Sequence, residues 1–512
     1  MPGRTERALI AAGVLVLAII PILLVKFPPA ADLPQHLAQI RLFKETLADP
    51  GSPYTVQWLA PNHLVYLFLL AFWTVLPVEL IARASLVLIV VLWVAAIHGL
   101  GAARGRSAAA AVVASLLIFN QSCSWGFLSF MLGFPVFVLW FALTTKGDRD
   151  FSLSQWGALA GMSALLYGSH ALWFAAGAAW LIIVGLARRT AVATIGLRLT
   201  ALLPCGLFAL LWYPGLSASR SATGVDVAPH WAPLYERLAS IVPAALGWIP
   251  GPAGTLAFLF VGFWAGLSIW QNRLRLRDAA DRDLMIAAMF FLSVVAIAPD
   301  SYMNTICFST RWVPAAMIFL LLALPAPSFR RLPSKAVALS VAMALSSATA
   351  IAWVRYEAHD LSGLPESLEA IAPSSRVLGL DLVKESDFIE DRPFLQLFAY
   401  AQVFKGGELN FSFAEHYSGL VAYRGRREVL WTPRLEWNSE KVKWTDFGFF
   451  DFVLVNGEDR DHESLASFAG LSPVTRSGRW RLYRVRRRSA CRSRSCAAPA
   501  IRAAAQLPPG WG

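Results

Sequence analysis

The chain has 512 residues, of which 56% are hydrophobic and 15% are charged, and its mean hydropathy is +0.53. A soluble globular domain carries about 25% charged residues, so this composition excludes an ordinary soluble protein. The formal net charge of +12 does not require a nucleic-acid partner, because much of the excess lies in predicted cytosolic loops and at the C-terminal end.

Long apolar segments dominate the chain between Ala8 and Val354. They run for about 15–20 residues, the length at which a helix crosses a hydrocarbon core of about 30 Å. The first, at 8–25, has no small-residue cleavage site and predicts an uncleaved helix with a cytoplasmic N-terminus. The others lie at 62–76, 81–101, 107–122, 126–145, 154–169, 172–187, 195–213, 255–270, 284–298, 312–325 and 336–354. Together they predict a polytopic α-helical membrane protein.

Loop charges orient the second half of this bundle. Basic residues cluster in alternate loops, which the positive-inside rule makes cytoplasmic: Lys146 and Arg149, Arg188 and Arg189, the 273–282 cluster, and Arg330, Arg331 and Lys335. The loops at 214–254 and 299–311, and everything after Val354, then lie outside. Twelve crossings would leave the C-terminal region inside. We therefore predict that one segment between 62 and 145 is re-entrant or split, which gives 11 or 13 transmembrane helices.

Three parts of the chain do not read as membrane helices. In the first outer loop, 28–61, apolar spacing predicts an amphipathic helix at 33–47 on the membrane surface. After a transmembrane domain at 1–354, residues 355–486 predict a small α/β extracytoplasmic domain, with strands at 376–382, 450–456 and 480–485 and helices at 393–404 and 462–469. The Arg-, Ser-, Ala- and Pro-rich segment 487–512 predicts a disordered basic tail.

The most suggestive local feature is the sequence Ala31-Asp32-Leu33-Pro34-Gln35-His36. Asp32 follows the first membrane helix, and His36 lies one helical turn further on. Two interpretations are open. Asp32 caps the surface helix, with Pro34 in the first turn. Alternatively, Asp32 is a catalytic general base, and His36 orients it or serves as a second acid or base.

Other polar residues fall on the same predicted outer side: His63, His170, His230 and Arg311. A histidine inside a helical bundle is costly unless it is paired, so each is a functional candidate, although a structural hydrogen bond explains it equally well. Arg311, at the membrane edge, is suited to holding a lipid phosphate bidentately or to snorkelling toward the headgroups. The shared side predicts an outward-facing cleft for a substrate that is half lipid and half polar.

This layout resembles the GT-C superfamily of membrane glycosyltransferases, which includes the protein mannosyltransferases and the lipid A aminoarabinose transferases. The resemblance rests on the cytosolic N-terminus, the acidic residue in the first outer loop, the surface helix, the 11–13 crossings and the outer C-terminal domain. The segments Asp32-Leu-Pro-Gln-His36, Gly126-Phe-Leu-Ser-Phe-Met-Leu-Gly133 and Ser169-His170 resemble recurring features of related bacterial membrane proteins. Many superfamily members carry two adjacent acidic residues in this loop, whereas Asp32 stands alone.

The resemblance implies an inner-membrane glycosyltransferase that uses a polyprenyl-phosphate-linked sugar donor on the outer face of the membrane. Asp32 is then the catalytic carboxylate, and Arg311, or in its place His63, His170 or His230, binds the lipid phosphate. The expected partners are this donor, a lipid, glycan or protein acceptor, and membrane lipids, with no nucleic acid. No cofactor is indicated, and a divalent cation is left open.

Two other functions are compatible with the sequence. One is a catalytically inactive GT-C-like scaffold that binds an envelope partner through the outer domain. The other is a flippase or exporter of a lipid-linked glycan, which requires a continuous polar seam along several helices. The apolar segments show no such seam.

Overall fold

The computed structural model describes residues 3–146, 152–222, 226–247, 251–425 and 427–486; the predicted disordered tail lies outside them. The described chain is mostly helical up to residue 355. Its helices in chain order are α1 (Arg4–Leu23), α2 (Leu33–Ala48), α3 (His63–Val75), α4 (Val78–Ala103), α5 (Ala108–Ser115), α6 (Gln121–Ser124), α7 (Leu128–Thr144), α8 (Leu153–Ser169), α9 (Ala171–Ala187), α10 (Val192–Leu199), α11 (Leu203–Ala222), α12 (Leu234–Ala239), α13 (Ile241–Leu246), α14 (Pro252–Asn272), α15 (Leu276–Ala279), α16 (Arg282–Ile297), α17 (Val313–Ala323) and α18 (Ser334–Arg355).

Each predicted apolar segment coincides with a helix of this bundle. Among the described residues, α1, α4, the continuous run of α10 and α11, α14 and α18 are long and apolar enough to cross a membrane, by length and composition. Shorter apolar helices, among them α3, α5, α7, α9 and α17, pack with them. The predicted polytopic α-helical membrane fold is confirmed.

Ion pairs join three helices at one end of the bundle. Arg104, after α4, donates to Asp281 (Nη2 to Oδ1, 2.8 Å) and to Asp283 (Nη2 to Oδ2, 2.6 Å) at the start of α16. Arg188, after α9, donates to the same Oδ2 of Asp283 at 2.7 Å. The loop charges at Arg188 and in the 273–282 cluster predict that this end is cytosolic, so we call it the cytosolic end and the opposite one the outer end.

Helix α3 begins and ends at the opposite, outer end of the bundle. Asn62, just before α3, donates its backbone N–H to the carbonyl of Tyr167 near the outer end of α8 (3.3 Å). At the other end of α3, the ring of Trp73 lies 5.7 Å from Nζ of Lys44 on α2. Tyr66, between these two points, lies 2.9 Å from His36 of α2. This unbroken helix therefore runs beside α2 at the outer end and does not cross the bundle.

Helix α4 then runs from the outer end to the cytosolic end, alongside α7 and in the same direction. Trp93 donates its indole N–H to the carbonyl of Met131 (2.7 Å), and ten residues further along α7 the ring of Phe141 lies below Arg104 (5.7 Å). Because α3 does not cross the bundle and α4 runs from the outer end to the cytosolic end, this arrangement favours 11 rather than 13 crossings.

The chain after α18 folds around a five-stranded mixed sheet in the order β3-β2-β5-β7-β6. In chain order the strands of the molecule are β1 (Tyr54–Val56), β2 (Arg376–Asp381), β3 (Glu408–Leu409), β4 (Val421–Tyr423), β5 (Phe452–Asn456), β6 (Leu471–Pro473) and β7 (Trp480–Val485), with helices α19 (Leu364–Glu369), α20 (Tyr400–Lys405) and α21 (Asp459–Ser467). The three predicted strands are found as β2, β5 and β7.

The two predicted helices of this region differ in their bounds. The helix predicted at 393–404 is confined to α20 and a preceding 3-10 turn. The helix predicted at 462–469 begins earlier, as α21, because Glu458 forms a capping box with Asp461. The short strands β1, β3, β4 and β6 carry no apolar alternation long enough to predict them.

Helix α2, the predicted surface helix, lies between the bundle and the C-terminal region. Gln39 accepts the backbone N–H of Val421 (2.8 Å), and Gln35 accepts that of Phe413 (3.1 Å). Strand β1 pairs antiparallel with β4, with Tyr54 opposite Tyr423. The polar face of α2 is therefore buried by the C-terminal region, and one apolar core continues across both parts.

Helix α11 corrects the predicted loop at 214–254, because the helix continues through Pro214 to Ala222. The C-terminal region holds this extension. Trp212 donates its indole N–H to the carbonyl of Tyr417 (3.0 Å), and a Cβ at Gly215 would lie 2.5 Å from the Tyr417 ring. The extension carries Arg220 to the outer end of the bundle.

Candidate functional site

Asp32 precedes the first turn of α2, but its carboxylate does not cap the helix. Its backbone N–H donates to the carbonyl of Trp125 (2.9 Å), and no capping hydrogen bond joins its side chain to α2. Within the described residues, its carboxylate has no hydrogen-bond donor and no ion-pair partner within 4 Å. The capping interpretation is therefore wrong, and the carboxylate faces a cavity.

The segment 126–133 positions the loop that carries Asp32. Gly126 has a φ of +72°, and a Cβ there would lie 2.9 Å from the backbone nitrogens of both Asp32 and Leu33. Only glycine permits this approach at this conformation. At the other end of the segment, a Cβ at Gly133 would lie 1.9 Å from the ring of Trp173. The two glycines let a loop and an aromatic ring pack closely behind the cavity.

A cavity of about 450 Å³ brings together four of the predicted candidates at the outer end of the bundle: Asp32, His36, His170 and Arg311. His63 and His230 do not line it. His63 begins α3, and exposed His230 pairs with Asp226 (Nε2 to Oδ2, 2.8 Å). Four candidates from three distant parts of the sequence thus line one cavity, and the two others lie outside it.

Burial changes the chemistry of Asp32. Removal from water raises the pKa of its carboxyl group to about 7, while the positive charge of Arg311 acts in the opposite direction. A carboxylate with a pKa near neutrality both accepts a proton and exists in the ionised form at physiological pH. The position is therefore suited to a general base.

His36 supports the same wall of the cavity. Its Nδ1 lies 2.9 Å from the hydroxyl oxygen of Tyr66, and its ring also hydrogen-bonds the backbone of Gly126. Burial lowers the pKa of His36 to about 4, so the ring is neutral at pH 7. These contacts favour an orienting role for His36 over that of a charged acid.

Arg311 is a buried cation that is only 5% exposed. Its Nε donates to the carbonyl of Cys307 (2.9 Å), its Nη2 donates to that of Ile306, and the guanidinium lies over the rings of Phe127 (4.6 Å) and Phe130 (5.2 Å). In the part of the chain that the structure describes, no carboxylate lies within 4 Å of it. A buried cation held only by carbonyls and rings is left with charge for an anionic ligand.

His170 combines the structural and the functional interpretation. Its Nδ1 accepts the backbone N–H of Leu172 (3.1 Å) and so caps α9, while its ring meets the edge of Phe130 (5.4 Å between centroids). Because Nδ1 is the acceptor, Nε2 carries the proton in the neutral ring. The same side chain lines the cavity.

Further residues line the cavity beyond the predicted site residues. Arg220, from the predicted outer loop at 214–254, adds a second cation, and His416 comes from the C-terminal region. Burial and the nearby charge of Arg220 lower the pKa of His416 to about 3. Tyr66 and Gln396 also line the cavity. No sequence pattern marks Tyr66, Gln396 or His416, because they reach the cavity only through the packing of α3 and the C-terminal region against α2.

An apolar groove adjoins this cavity and lies between α8, α9 and α11. Ala171, Trp212 and Tyr213 line both spaces. The groove wall is otherwise almost entirely apolar, and Leu210 on it is 72% exposed. A hydrocarbon chain would fit this groove while its polar end reached the cavity.

The sequence matches no known protein-family model and no curated protein. The structure, however, is similar to the crystal structure of ArnT from Cupriavidus metallidurans bound to undecaprenyl phosphate. The TM-score is 0.54 at 13% identity, over 93% of this chain and 97% of that chain. The chain therefore shares the fold of ArnT over nearly its whole length, which confirms the resemblance seen in the sequence at the level of the fold.

Proposed function

We propose that the protein is an integral-membrane glycosyltransferase that takes a sugar from a polyprenyl-phosphate carrier on the outer face of a bacterial inner membrane. The observation that carries the proposal is the uncapped carboxylate of Asp32, which shares one cavity with the unpaired buried cation of Arg311. The structural similarity to ArnT, which was crystallised with undecaprenyl phosphate, supports a lipid phosphate as the donor's carrier.

The donor would be divided between the two connected spaces. Its polyprenyl chain lies in the apolar groove between α9 and α11, and its phosphate lies near Arg311 and Arg220 in the cavity. A guanidinium fork matches phosphate oxygens in geometry and charge. The sugar then lies between the phosphate and Asp32.

The reaction is a direct displacement. Asp32 accepts the proton of an acceptor hydroxyl as the hydroxyl oxygen bonds to the anomeric carbon. The bond from that carbon to the phosphate oxygen breaks, and its electron pair leaves with the polyprenyl phosphate. Arg311 stabilises the negative charge that develops on the leaving group. Attack opposite the leaving group inverts the anomeric configuration.

The two alternative functions explain the site less well. A scaffold gains nothing from a desolvated carboxylate without a partner, because burial of such a group costs free energy. A flippase needs a polar path through the bundle. The polar cavity lies at the outer end, whereas the pairs that Arg104 and Arg188 form with Asp283 close the cytosolic end.

The test is a transfer assay with the purified protein in lipid nanodiscs, a panel of radiolabelled polyprenyl-phosphate pentoses and hexoses as donors, and a panel of lipid, glycan and peptide acceptors. We expect one donor to be consumed, and Asp32→Asn to reduce its consumption at least about 100-fold, the usual contribution of a general base. Asp49→Asn, at an exposed acid of the same loop, is the matched control and should leave the rate unchanged. No consumption of any donor by the wild-type protein would contradict the proposal.

A further inference from the structure

A second cavity, of about 730 Å³, adjoins the first on the side of the C-terminal region. The two cavities share four lining residues: Asn304, Phe411, His416 and Trp437. The second cavity is built mainly from the segment after α20, together with Ser219 of α11. A molecule bound there would reach the first cavity through the shared residues.

Aromatic rings stand at the junction of the two cavities. Trp437 lines both, and its ring centroid lies 6.4 Å from that of Trp125, which lines the first cavity. Trp437 is only partly buried. An indole face in a wet cleft is a surface on which the C–H face of a sugar ring packs.

The second cavity is also lined by buried polar residues whose side-chain atoms have no partner among the described residues. Asn410 is 4% exposed; its Oδ1 accepts the backbone N–H of Gly379 (2.8 Å), but its Nδ2 has no partner among the described residues. His416 likewise has an unpartnered Nδ1. The Glu436 carboxylate accepts a hydrogen bond from its own backbone N–H. The Asn410 amide is a donor, the Glu436 carboxylate is an acceptor, and the His416 nitrogen is either, depending on its tautomer. Such groups near an indole suit a neutral ligand that carries several hydroxyl groups.

Two arginines, Arg427 and Arg434, and three carboxylates, Glu415, Glu428 and Glu436, line the second cavity. Arg427 pairs with Glu415 (3.0 Å) and donates to the carbonyl of Leu409 (2.9 Å). Its guanidinium lies over the rings of Tyr423 (5.2 Å) and Trp431 (4.8 Å). A phosphate on Arg427 would have to break these contacts, and the carboxylates outnumber the arginines, so the cavity favours a neutral ligand over an anionic one.

We propose that the second cavity binds the acceptor of the transfer reaction and that this acceptor is a carbohydrate. Its ring packs on Trp437, its hydroxyl groups bond Glu436, Asn410 and His416, and one hydroxyl extends past the shared residues toward Asp32. The inference rests on the proposed function and selects the glycan among the lipid, glycan and protein acceptors that the fold accommodates.

The test is saturation-transfer NMR on the full-length protein in nanodiscs, without any donor. The probes are trimers of glucose, galactose, mannose and N-acetylglucosamine, a Ser/Thr-rich peptide and inorganic phosphate. We expect at least one trimer to bind, and Trp437→Ala and Glu436→Gln each to weaken its binding at least tenfold. Trp58→Ala and Glu366→Gln, both at exposed positions outside the cavity, are the matched controls and should bind as the wild type does.

Three outcomes would overturn the inference: no trimer binds, the trimer binds equally to both cavity variants, or only the peptide or phosphate responds to these substitutions. Asp32→Asn should bind the trimer normally, because Asp32 does not line the second cavity. Binding without donor therefore tests the acceptor site separately from catalysis. Failure of the transfer assay alone would contradict the proposed function but not this binding result.

Discussion

At the scale of single residues, the site combines groups that are costly to bury. Asp32 lies in the cavity without a capping bond, and Arg311 is buried without a carboxylate within 4 Å among the described residues. Each would be more stable in water or in direct contact with a partner. Buried charged groups without an oppositely charged partner indicate a functional site more reliably than a charged residue alone does, because packing requirements do not explain them.

The raised pKa of Asp32 predicts a pH dependence for transfer. Asp32 acts as a base only when ionised, so below its pKa of about 7 the rate should fall about tenfold per pH unit and above it should level off. His36, with its pKa lowered to about 4, does not titrate in this range. Single-turnover rates at saturating substrate between pH 5.5 and 8.5 measure this acid limb of the pH profile, where the rate falls as the pH is lowered.

The control for the pH profile is Glu436→Gln. Burial also raises the pKa of Glu436 to about 7, but Glu436 lines the second cavity and not the first. The acid limb should therefore persist in this variant at saturating acceptor. A profile that is flat from pH 5.5 to 8.5 in the wild type would contradict the assignment of Asp32 as the base.

Arg311→Lys tests whether the guanidinium geometry matters beyond the charge. Lysine keeps the positive charge, but if two of its three N–H groups hold the carbonyls of Cys307 and Ile306, only one remains for a phosphate and a bidentate contact is lost. We expect affinity for undecaprenyl phosphate, measured by its displacement of a labelled donor, to fall at least about tenfold. The exposed Arg331→Lys is the control, and equal affinity in both variants would contradict a phosphate-binding role for Arg311.

At the scale of elements, the two loops before α2 and α7 depend on each other. The backbone of Asp32 bonds that of Trp125, and Gly126 lies against the same turn. The Asp32 carboxylate is thus positioned by a contact between segments about 90 residues apart. A small change in the second loop should act on the first.

Gly126→Ala tests this dependence. The new methyl group would meet two backbone nitrogens at 2.9 Å in a left-handed conformation, so we expect the free energy of unfolding to fall by about 1–3 kcal/mol and transfer to fall more than tenfold. Gly157→Ala, at an open helical position, should preserve activity and stability. Thermal unfolding and transfer rates measure both; unchanged activity in Gly126→Ala would contradict the coupling.

Sequence patterns predicted most elements, because membrane helices need about 20 apolar residues and buried strands need continuous β-branched or aromatic runs. They also placed Asp32, His36, His170 and Arg311 on one side of the bundle. They could not show that α3 lies at one end of the bundle, since its length and apolarity match those of a short crossing helix. Nor could they place Tyr66 or His416, because these residues reach the cavity only through tertiary packing.

At the scale of the whole molecule, the C-terminal region forms one wall of the first cavity, which Asp32 also lines. His416 and Gln396 line that cavity, and β4 pairs with β1 of the first outer loop. Gln35 and Gln39 of α2, both fully buried, bond backbone groups of the C-terminal region. The two parts should therefore unfold together.

Gln39→Ala tests this joint unfolding. It leaves the buried N–H of Val421 without an acceptor, which costs about 1–3 kcal/mol. We expect one cooperative thermal transition at a lower Tm, followed in parallel by tryptophan fluorescence and by limited proteolysis of the C-terminal region. Lys44→Ala, on the exposed face of the same helix, should shift the Tm far less. Two separate transitions would contradict a shared structural unit.

The central claim, that Asp32 is the general base, is tested most directly by a single-turnover measurement on Asp32→Asn. The variant is first shown to bind undecaprenyl phosphate and to unfold at a Tm no lower than that of the wild type. Enzyme in excess is then mixed with labelled donor and saturating acceptor, and the rate of sugar transfer is followed by rapid quench. We expect a rate at least about 100-fold below that of the wild type. A rate within threefold of the wild type would contradict the claim.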